Sequence, residues 1–89
     1  MTRTTLLTLK DIPKAYVRQR RNVDLPSGSR TTYQMEKIYW DVVDRMCIER
    51  EWTIGELVVD SIERFPSSSV TSSMRIAALC YVMGKDSDD

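Results

Sequence analysis

The chain contains no histidine, only two cysteines, and three residues each of glycine and proline among its 89 residues. Without histidine, general acid or base catalysis near neutral pH would fall to carboxylates or lysine. Two cysteines without a histidine provide neither a plausible zinc site nor a disulfide framework. We therefore expect no catalysis, no bound metal and no cofactor, and we expect a reducing, cytoplasmic compartment.

Long apolar runs and phosphate-binding loops are also missing. No run of eighteen apolar residues occurs, so the sequence predicts no membrane-spanning helix. No glycine-rich phosphate loop or nucleophile elbow is present. A chain of this length is one small domain with little apolar core to spare, and oligomerisation is a common remedy at that size.

The net charge is zero, but the charges are unevenly distributed along the chain. Residues 1–37 hold eight basic and three acidic residues, whereas residues 38–89 hold five basic and ten acidic ones. A basic half beside an acidic half suggests a polyanion bound at one end. On charge alone, a soluble protein with an uneven surface is the simpler interpretation.

Two neighbouring stretches have the apolar spacing of amphipathic helices. In residues 53–65, apolar positions recur at steps of three and four, and Thr53 with Glu56 forms an S/T-x-x-E capping box. Residues 36–51 carry a similar stripe, which includes Cys47 as a small core residue. The short Glu51–Trp52 connection between the two stretches predicts two helices joined by a very short turn.

A third helix is predicted from about Val70 to Met83, capped by Ser69 or Thr71. The acidic tail "GKDSDD" follows it and begins with a glycine suited to a helix C-terminus. We assign residues 67–89 to this helix and tail.

Before the first helix, "SRTTYQM" alternates as in a strand with one buried and one exposed side. Upstream, "RRNVDL" followed by "PSG" predicts a second strand at 20–25 and a hairpin. Residues 1–28 form a basic N-terminal extension, in which "TTLLTL" is a candidate further strand. Residues 29–66 then hold the strand and the first two helices.

The order strand, helix, short turn, capped helix resembles the ribbon-helix-helix family of transcription regulators, to which the Arc and methionine repressors belong. The resemblance rests on "RTTYQMEKIYWDVVDRMCIEREWTIGELVVDSI" and is closest to the bacterial branch with an aromatic-rich first helix. That branch also has a counterpart of the third helix. Two features depart from the pattern: Lys37 replaces the usual proline between strand and helix, and 28 residues precede the strand.

The resemblance implies a mostly α-helical fold with a short β-ribbon, formed when the same strand of two chains pairs antiparallel. The helices of both chains would interlock below the ribbon, so that two chains share one core. The residues expected in this dimer core are Tyr33, Met35, Tyr39, Val43, Met46, Ile54, Leu57, Val58 and Ile62.

Double-stranded DNA is the partner that the resemblance implies, with the ribbon in the major groove. Arg30, Thr32 and Gln34 would face outward and are the right residue types for reading base edges. The simpler alternative is that they form the solvated side of a half-buried hairpin. The residues expected to contact phosphate are Thr53, Ile54 and Gly55 at the start of the second helix and Arg18, Arg20 and Arg21.

Two functions of different class remain open from the sequence. The first is a sequence-specific DNA-binding homodimer that acts as a transcriptional repressor or autoregulator, with higher oligomers on DNA left open. The second is a protein-interaction module on the same fold, an antitoxin or adaptor whose third helix engages a protein partner. Zero net charge slightly favours the second, and the outward polar strand favours the first.

Overall fold

The computed structural model of the chain describes residues 16–84. Two antiparallel strands are followed by three helices, and this order confirms the predicted fold class. The elements are β1 (Arg18–Asp24), β2 (Arg30–Glu36), α1 (Lys37–Arg50), α2 (Ile54–Arg64) and α3 (Val70–Val82). The predicted strand in "TTLLTL" and the acidic tail beyond residue 84 lie outside the described residues.

β1 and β2 are joined by a tight turn over residues 25–29. Pro26 stands at the second position of the turn, which its fixed φ suits, and the N–H of Gly28 donates to the Leu25 carbonyl at 2.9 Å. Gly28 has a φ of +101°, which residues with a side chain rarely adopt. The hairpin expected from the sequence is therefore present, although its first strand starts two residues before the predicted 20–25.

Backbone hydrogen bonds at the two ends of the hairpin fix its pairing pattern. The Leu25 N–H donates to the Ser29 carbonyl and the Lys37 N–H donates to the Val17 carbonyl, both at 2.8 Å. Odd-numbered residues of the two strands therefore bond to each other, and even-numbered ones direct their backbone groups away from the opposite strand. The first partner of β2 is thus β1 of the same chain, and the outer edge of β2 has no strand beside it within the described residues.

Burial alternates along both strands, because successive side chains of a strand point to opposite sides. Val23 and Met35 are buried against the helices, while the side chains on the other side of the hairpin are mostly exposed. This alternation agrees with the expected inward and outward sides of β2.

The helix boundaries follow from local capping. In α2, the Glu56 N–H donates to Thr53 Oγ1 at 3.1 Å and the Thr53 N–H donates to Glu56 Oε1 at 2.8 Å, so the predicted capping box is complete. α1 ends at Arg50, and its C-cap residue Glu51, with a φ of +58°, turns the chain towards α2. Ser69 caps α3 by accepting a hydrogen bond from the Ser72 N–H.

The apolar core is closed within one chain. Met35, Val43, Met46, Leu57 and Val58 are all at most 1% exposed without a second copy. The expectation that two chains are needed to bury these residues is therefore wrong. The physical reason is that β1 and α3 supply the missing cover: Val23 comes from β1, and Met74, Ala77 and Ala78 come from α3.

Four further residues expected in the core are less buried. Tyr33, Tyr39 and Ile54 pack partly buried against the core, whereas Ile62 is 41% exposed and lies outside it in the single chain. Ser61 takes the inward position beside Ile62, and its hydroxyl donates to the Leu57 carbonyl at 2.8 Å. A hydroxyl bonded to the preceding turn of its own helix needs no other partner in an apolar core.

Candidate nucleic-acid interface

The outward side of the hairpin brings together the three residues predicted to read bases. Arg30, Thr32 and Gln34 are exposed and lie on one side of β2, directed away from the helices. Their spacing of two residues places them in a row along the strand. The structure therefore places these side chains where another macromolecule can reach them.

β1 adds a second polar row that sequence reasoning did not assign to base reading. Register places Arg20 opposite Gln34 and Asn22 opposite Thr32 on the same outward side. The Thr32 hydroxyl donates to Asn22 Oδ1 at 2.6 Å across the strands. The signal that identifies this row is the apolar Val23, because alternation from a buried Val23 directs Asn22 and Arg20 outward.

Acidic side chains lie at the two ends of this outward side, and the residues in its middle include no acidic one. Near the turn, Arg30 Nε lies 3.1 Å from Asp24 Oδ1. At the other end, Glu36 pairs with Arg18 at 3.6 Å and with Arg75 of α3 at 3.1 Å. The hydrogen bond from its own backbone N–H, and then the contact with Arg75, lower the pKa of the Glu36 carboxyl below its usual 4.5.

Arg20 and Arg21 are adjacent but have different surroundings. Arg20 is exposed and has no carboxylate partner among residues 16–84. Arg21 points inward, where its guanidinium donates to both carboxylate oxygens of Asp44, at 2.6 and 3.0 Å, and lies 4.8 Å from the centre of the Trp40 ring. The hydrogen bond to Asp44 raises the pKa of Arg21, so its positive charge is firmly held. A phosphate contact at Arg21 would have to use the donors that the ion pair with Asp44 leaves over, and it stays a prediction.

The start of α2 lies beside the end of β1. The capping box uses the N–H groups of Thr53 and Glu56, and the N–H groups of Ile54 and Gly55 remain without a partner in the described part of the chain. These two groups stand at the positive end of the helix dipole, in a cleft of about 500 Å³ bounded by residues 22–26.

Gly55 has a structural reason to be glycine that the sequence did not show. It is buried, and a Cβ at this position would fall on the carbonyl oxygen of Asp24, far inside contact distance. The close approach that the structure contains at Gly55 therefore comes from the hairpin of its own chain. A phosphate contact at this residue stays a prediction and depends on its N–H alone.

An apolar groove separates α1 from α3 on another side of the molecule. It has a volume of about 520 Å³, and Tyr16 lies at one end of it. Its lining exposes aliphatic side chains to solvent, with Leu79 at 49% and Val82 at 63% exposed. We call it the α1–α3 groove, and the aliphatic residues that line it are Ile38, Val42, Ala78, Leu79 and Val82.

Residues 16–84 contain no cluster of histidine, cysteine, aspartate or glutamate placed to hold a metal ion. Cys47 is buried and its thiol pKa is raised by that burial, while Cys80 is partly buried, and both are free thiols. None of the helices in the described part of the chain combines the length and apolar character that a membrane span requires.

A family model of the ribbon-helix-helix domain matches residues 18–82, from the first residue of β1 to the last residue of α3. The chain therefore belongs to the ribbon-helix-helix family, whose members are regulators that generally dimerise and bind DNA and are typically not enzymes. The match includes β1 and α3, the two elements that close the core here.

The fold is also similar to that of an uncharacterized protein from Bordetella pertussis Tohama I. The two chains share 20% sequence identity with a TM-score of 0.68, over 93% of this chain and 70% of the other. At that identity the similarity shows the fold alone. No curated protein matches the sequence.

Proposed function

We propose that the protein is a sequence-specific DNA-binding homodimer that acts as a transcriptional repressor or autoregulator. Its β-hairpin enters the major groove with the outward side towards the base pairs. Arg30, Thr32 and Gln34 of β2 read base edges. The observation that supports this best is the continuous polar row on the outward side of a hairpin in a family that generally binds DNA.

The chemistry of the row fits base edges. Arginine donates two hydrogen bonds to guanine O6 and N7, and glutamine pairs with adenine N6 and N7. Threonine bonds to several bases or touches the thymine methyl group. A two-stranded ribbon also fits a major groove about 12 Å wide.

Phosphate contacts flank the ribbon and supply affinity without reading sequence. Arg18 lies at one end of β1, with its side chain 63% exposed despite its contact with Glu36. The N–H groups of Ile54 and Gly55 attract a phosphate at the start of α2, where Thr53 is the cap.

The test is a binding titration on a site selected from random duplexes, at fixed salt. Thr32→Ala combined with Gln34→Ala should weaken binding to the selected site by about 1–3 kcal/mol for each good base interaction that is removed. Binding to random duplex and the thermal melt should change little, because both side chains point away from the core. If the double variant binds the selected site as tightly as wild type, β2 is not the reader.

The second copy of the homodimer packs on the α1–α3 groove. β1 pairs with one edge of β2, and the outer edge of β2 is open among the described residues. The groove, in contrast, leaves aliphatic side chains in water, and covering them is favourable by about 25 cal/mol per Å². Covering these side chains is therefore a gain that a second copy can supply.

Sedimentation of three variants tests this interface. Leu79→Asp should yield a folded monomer, and Ile48→Asp should remain dimeric, because Ile48 is 77% exposed and does not line the groove. Thr32→Pro removes an N–H that points to the outer edge of β2 and spares the hairpin bonds, so the dimer should persist. A dimer lost only in Thr32→Pro would instead show that two copies of β2 pair.

The α1–α3 groove also favours a second candidate, a protein-interaction module in which α3 engages a different protein. In that case the purified chain would be monomeric and would show no preference among random duplexes. Dimerisation together with a selected DNA sequence would exclude this candidate as the main function.

A further inference from the structure

We propose that residues 5–12, here called the 5–12 segment, dock in the α1–α3 groove of their own chain and compete there with a second copy. The segment has the sequence "TLLTLKDI" and precedes Tyr16, the first described residue. The inference rests on the proposed function only in that the second copy uses the same groove. It adds an occupant to that surface and a control on how tightly two copies associate.

The described part of the chain begins at the groove. Tyr16 is one of the residues that line it. The next residue is held beside the start of α1, because the Lys37 N–H donates to the Val17 carbonyl at 2.8 Å. The 5–12 segment is therefore attached at a fixed point on the groove itself.

The chain before Tyr16 is long enough to cover the groove. Ile12 and Leu9 precede Tyr16 by four and seven residues. At about 3.3 Å per extended residue, they reach as far as about 13 and 23 Å from it. The lining residues Arg75 and Val82 are seven residues apart on α3, which is about 10 Å along the helix. The segment can therefore reach the whole length of the groove.

The apolar character of the segment matches that of the groove. Leu79 and Val82 are 49% and 63% exposed, and the segment supplies three leucines and one isoleucine to cover them. The charged residues that line the groove, Glu36 and Arg75, already pair with each other at 3.1 Å. A charged occupant would compete with that ion pair, whereas an aliphatic one covers the exposed side chains and leaves the pair intact.

The covalent connection favours the segment over a separate chain. A group held by a linker of a few residues has an effective concentration in the millimolar range, whereas a second copy reaches the groove only at its own concentration. At micromolar protein the segment therefore occupies the groove more often, and a second copy must displace it. In a two-fold symmetric dimer both grooves must be freed, so the dimer dissociation constant rises with the square of the reciprocal of the open fraction.

The first experiment traps the docked segment with a disulfide in the full-length chain. Thr8→Cys spares the leucines and is combined with Val82→Cys in the groove. The matched control combines Thr8→Cys with Ile48→Cys, because Ile48 is 77% exposed and does not line the groove. Cys80→Ser is present in every variant, since Cys80 is a free thiol next to Leu79.

Under mild oxidation the pair at residues 8 and 82 should form an intramolecular disulfide at least about tenfold faster than the control pair. Non-reducing gels and mass spectrometry distinguish bonds within a chain from bonds between chains. Equal rates for the two pairs overturn the inference, because the segment then has no preference for the groove. A disulfide that forms only between chains also overturns it, because the groove is then filled by the other copy.

The second experiment measures dimerisation by sedimentation. Leu7→Asp combined with Leu9→Asp should lower the dimer dissociation constant about tenfold, the change expected if the segment is docked in about two thirds of wild-type molecules. Thr5→Asp combined with Thr8→Asp adds the same charges and keeps the leucines. This control should stay within about twofold of wild type, because exposed charges are screened at physiological salt.

Unchanged or weaker association of the leucine variant overturns the competition between the segment and a second copy. A dimer that persists in Leu79→Asp also overturns it, because the two copies then meet elsewhere. Failure to select any DNA sequence would instead contradict the proposed DNA binding, and it would leave the intramolecular disulfide as it is. The two proposals can therefore fail separately.

Discussion

The two sides of the hairpin are made from the same strands, yet their side chains have different surroundings. Arg20 and Arg21 are neighbours in sequence and identical in chemistry. The outward Arg20 is exposed and has no carboxylate partner among residues 16–84, whereas the inward Arg21 is clamped by Asp44 and stacked on Trp40. One of them is available to a ligand and the other is part of the structure.

The difference shows how a cluster of charged residues in a strand should be interpreted. The alternation of side chains between the two sides of the sheet matters more than the number of charges in the cluster. "RQRR" looks like one basic patch in the sequence, but its side chains divide between the two sides of a sheet. The inward side is then controlled by what the helices present to it. Here α1 presents a carboxylate and an indole ring, and both attract a guanidinium.

The largest difference in stability should come from placing a negative charge first on the inward and then on the outward side of the hairpin. Met35→Asp buries a carboxylate without a partner at a fully buried position and should cost about 3–5 kcal/mol or more, enough to unfold a small domain. Gln34→Asp, one residue away on the exposed side, should cost at most about 1 kcal/mol. Circular-dichroism melts of the two variants measure this, and similar melts would contradict the assignment of sides.

A smaller loss is expected at the junction of the hairpin with α2. Gly55→Ala should destabilise the protein by about 1–3 kcal/mol, because the new Cβ meets the backbone carbonyl of Asp24. In an exposed helix the same change would be stabilising by up to about 1 kcal/mol. Urea unfolding decides between the two signs, and a stabilised variant would mean that Gly55 faces an open surface.

The two arginines should differ by a modest but measurable amount. Arg21→Ala removes the bonds to Asp44 and the contact with Trp40, and should cost about 1–2 kcal/mol. Arg20→Ala should stay within about 0.5 kcal/mol of wild type. Thermal or urea unfolding measures both losses, and equal losses would contradict the distinction between the two sides. A double-mutant cycle with Asp44→Ala measures the coupling energy of the Arg21–Asp44 ion pair.

The smallest effect is a dependence on pH at the end of the hairpin. The pKa of Glu36 is lowered in the folded protein, so the unfolded chain binds this proton more readily. Its contribution is therefore complete above the ordinary pKa of 4.5 and is lost as the pH falls through the lower folded value. Glu36→Gln should flatten the stability profile in that acidic range, and an unchanged profile would contradict the lowered pKa of Glu36.

The sequence alone predicted the features that depend on local physics. The capping box at Thr53 and Glu56, the turn at "PSG" and the alternation along β2 all depend on neighbours within a few residues. Their energies are set by backbone hydrogen bonds and side-chain direction, which local sequence specifies. For the same reason, the outward placement of Arg30, Thr32 and Gln34 followed from the sequence.

Only the tertiary structure decided which groups meet across the chain. Arg21 pairs with Asp44, and Gly55 lies under Asp24, although the residues of each pair are more than twenty positions apart. β1 and α3 close a core that was expected to need two chains, and no local pattern shows that these elements cover the core in place of a second chain. An apolar stripe predicts that one side of a helix is buried, but it does not predict which element buries it. The choice between a partner chain and the chain's own α3 is made by the packing of the whole molecule.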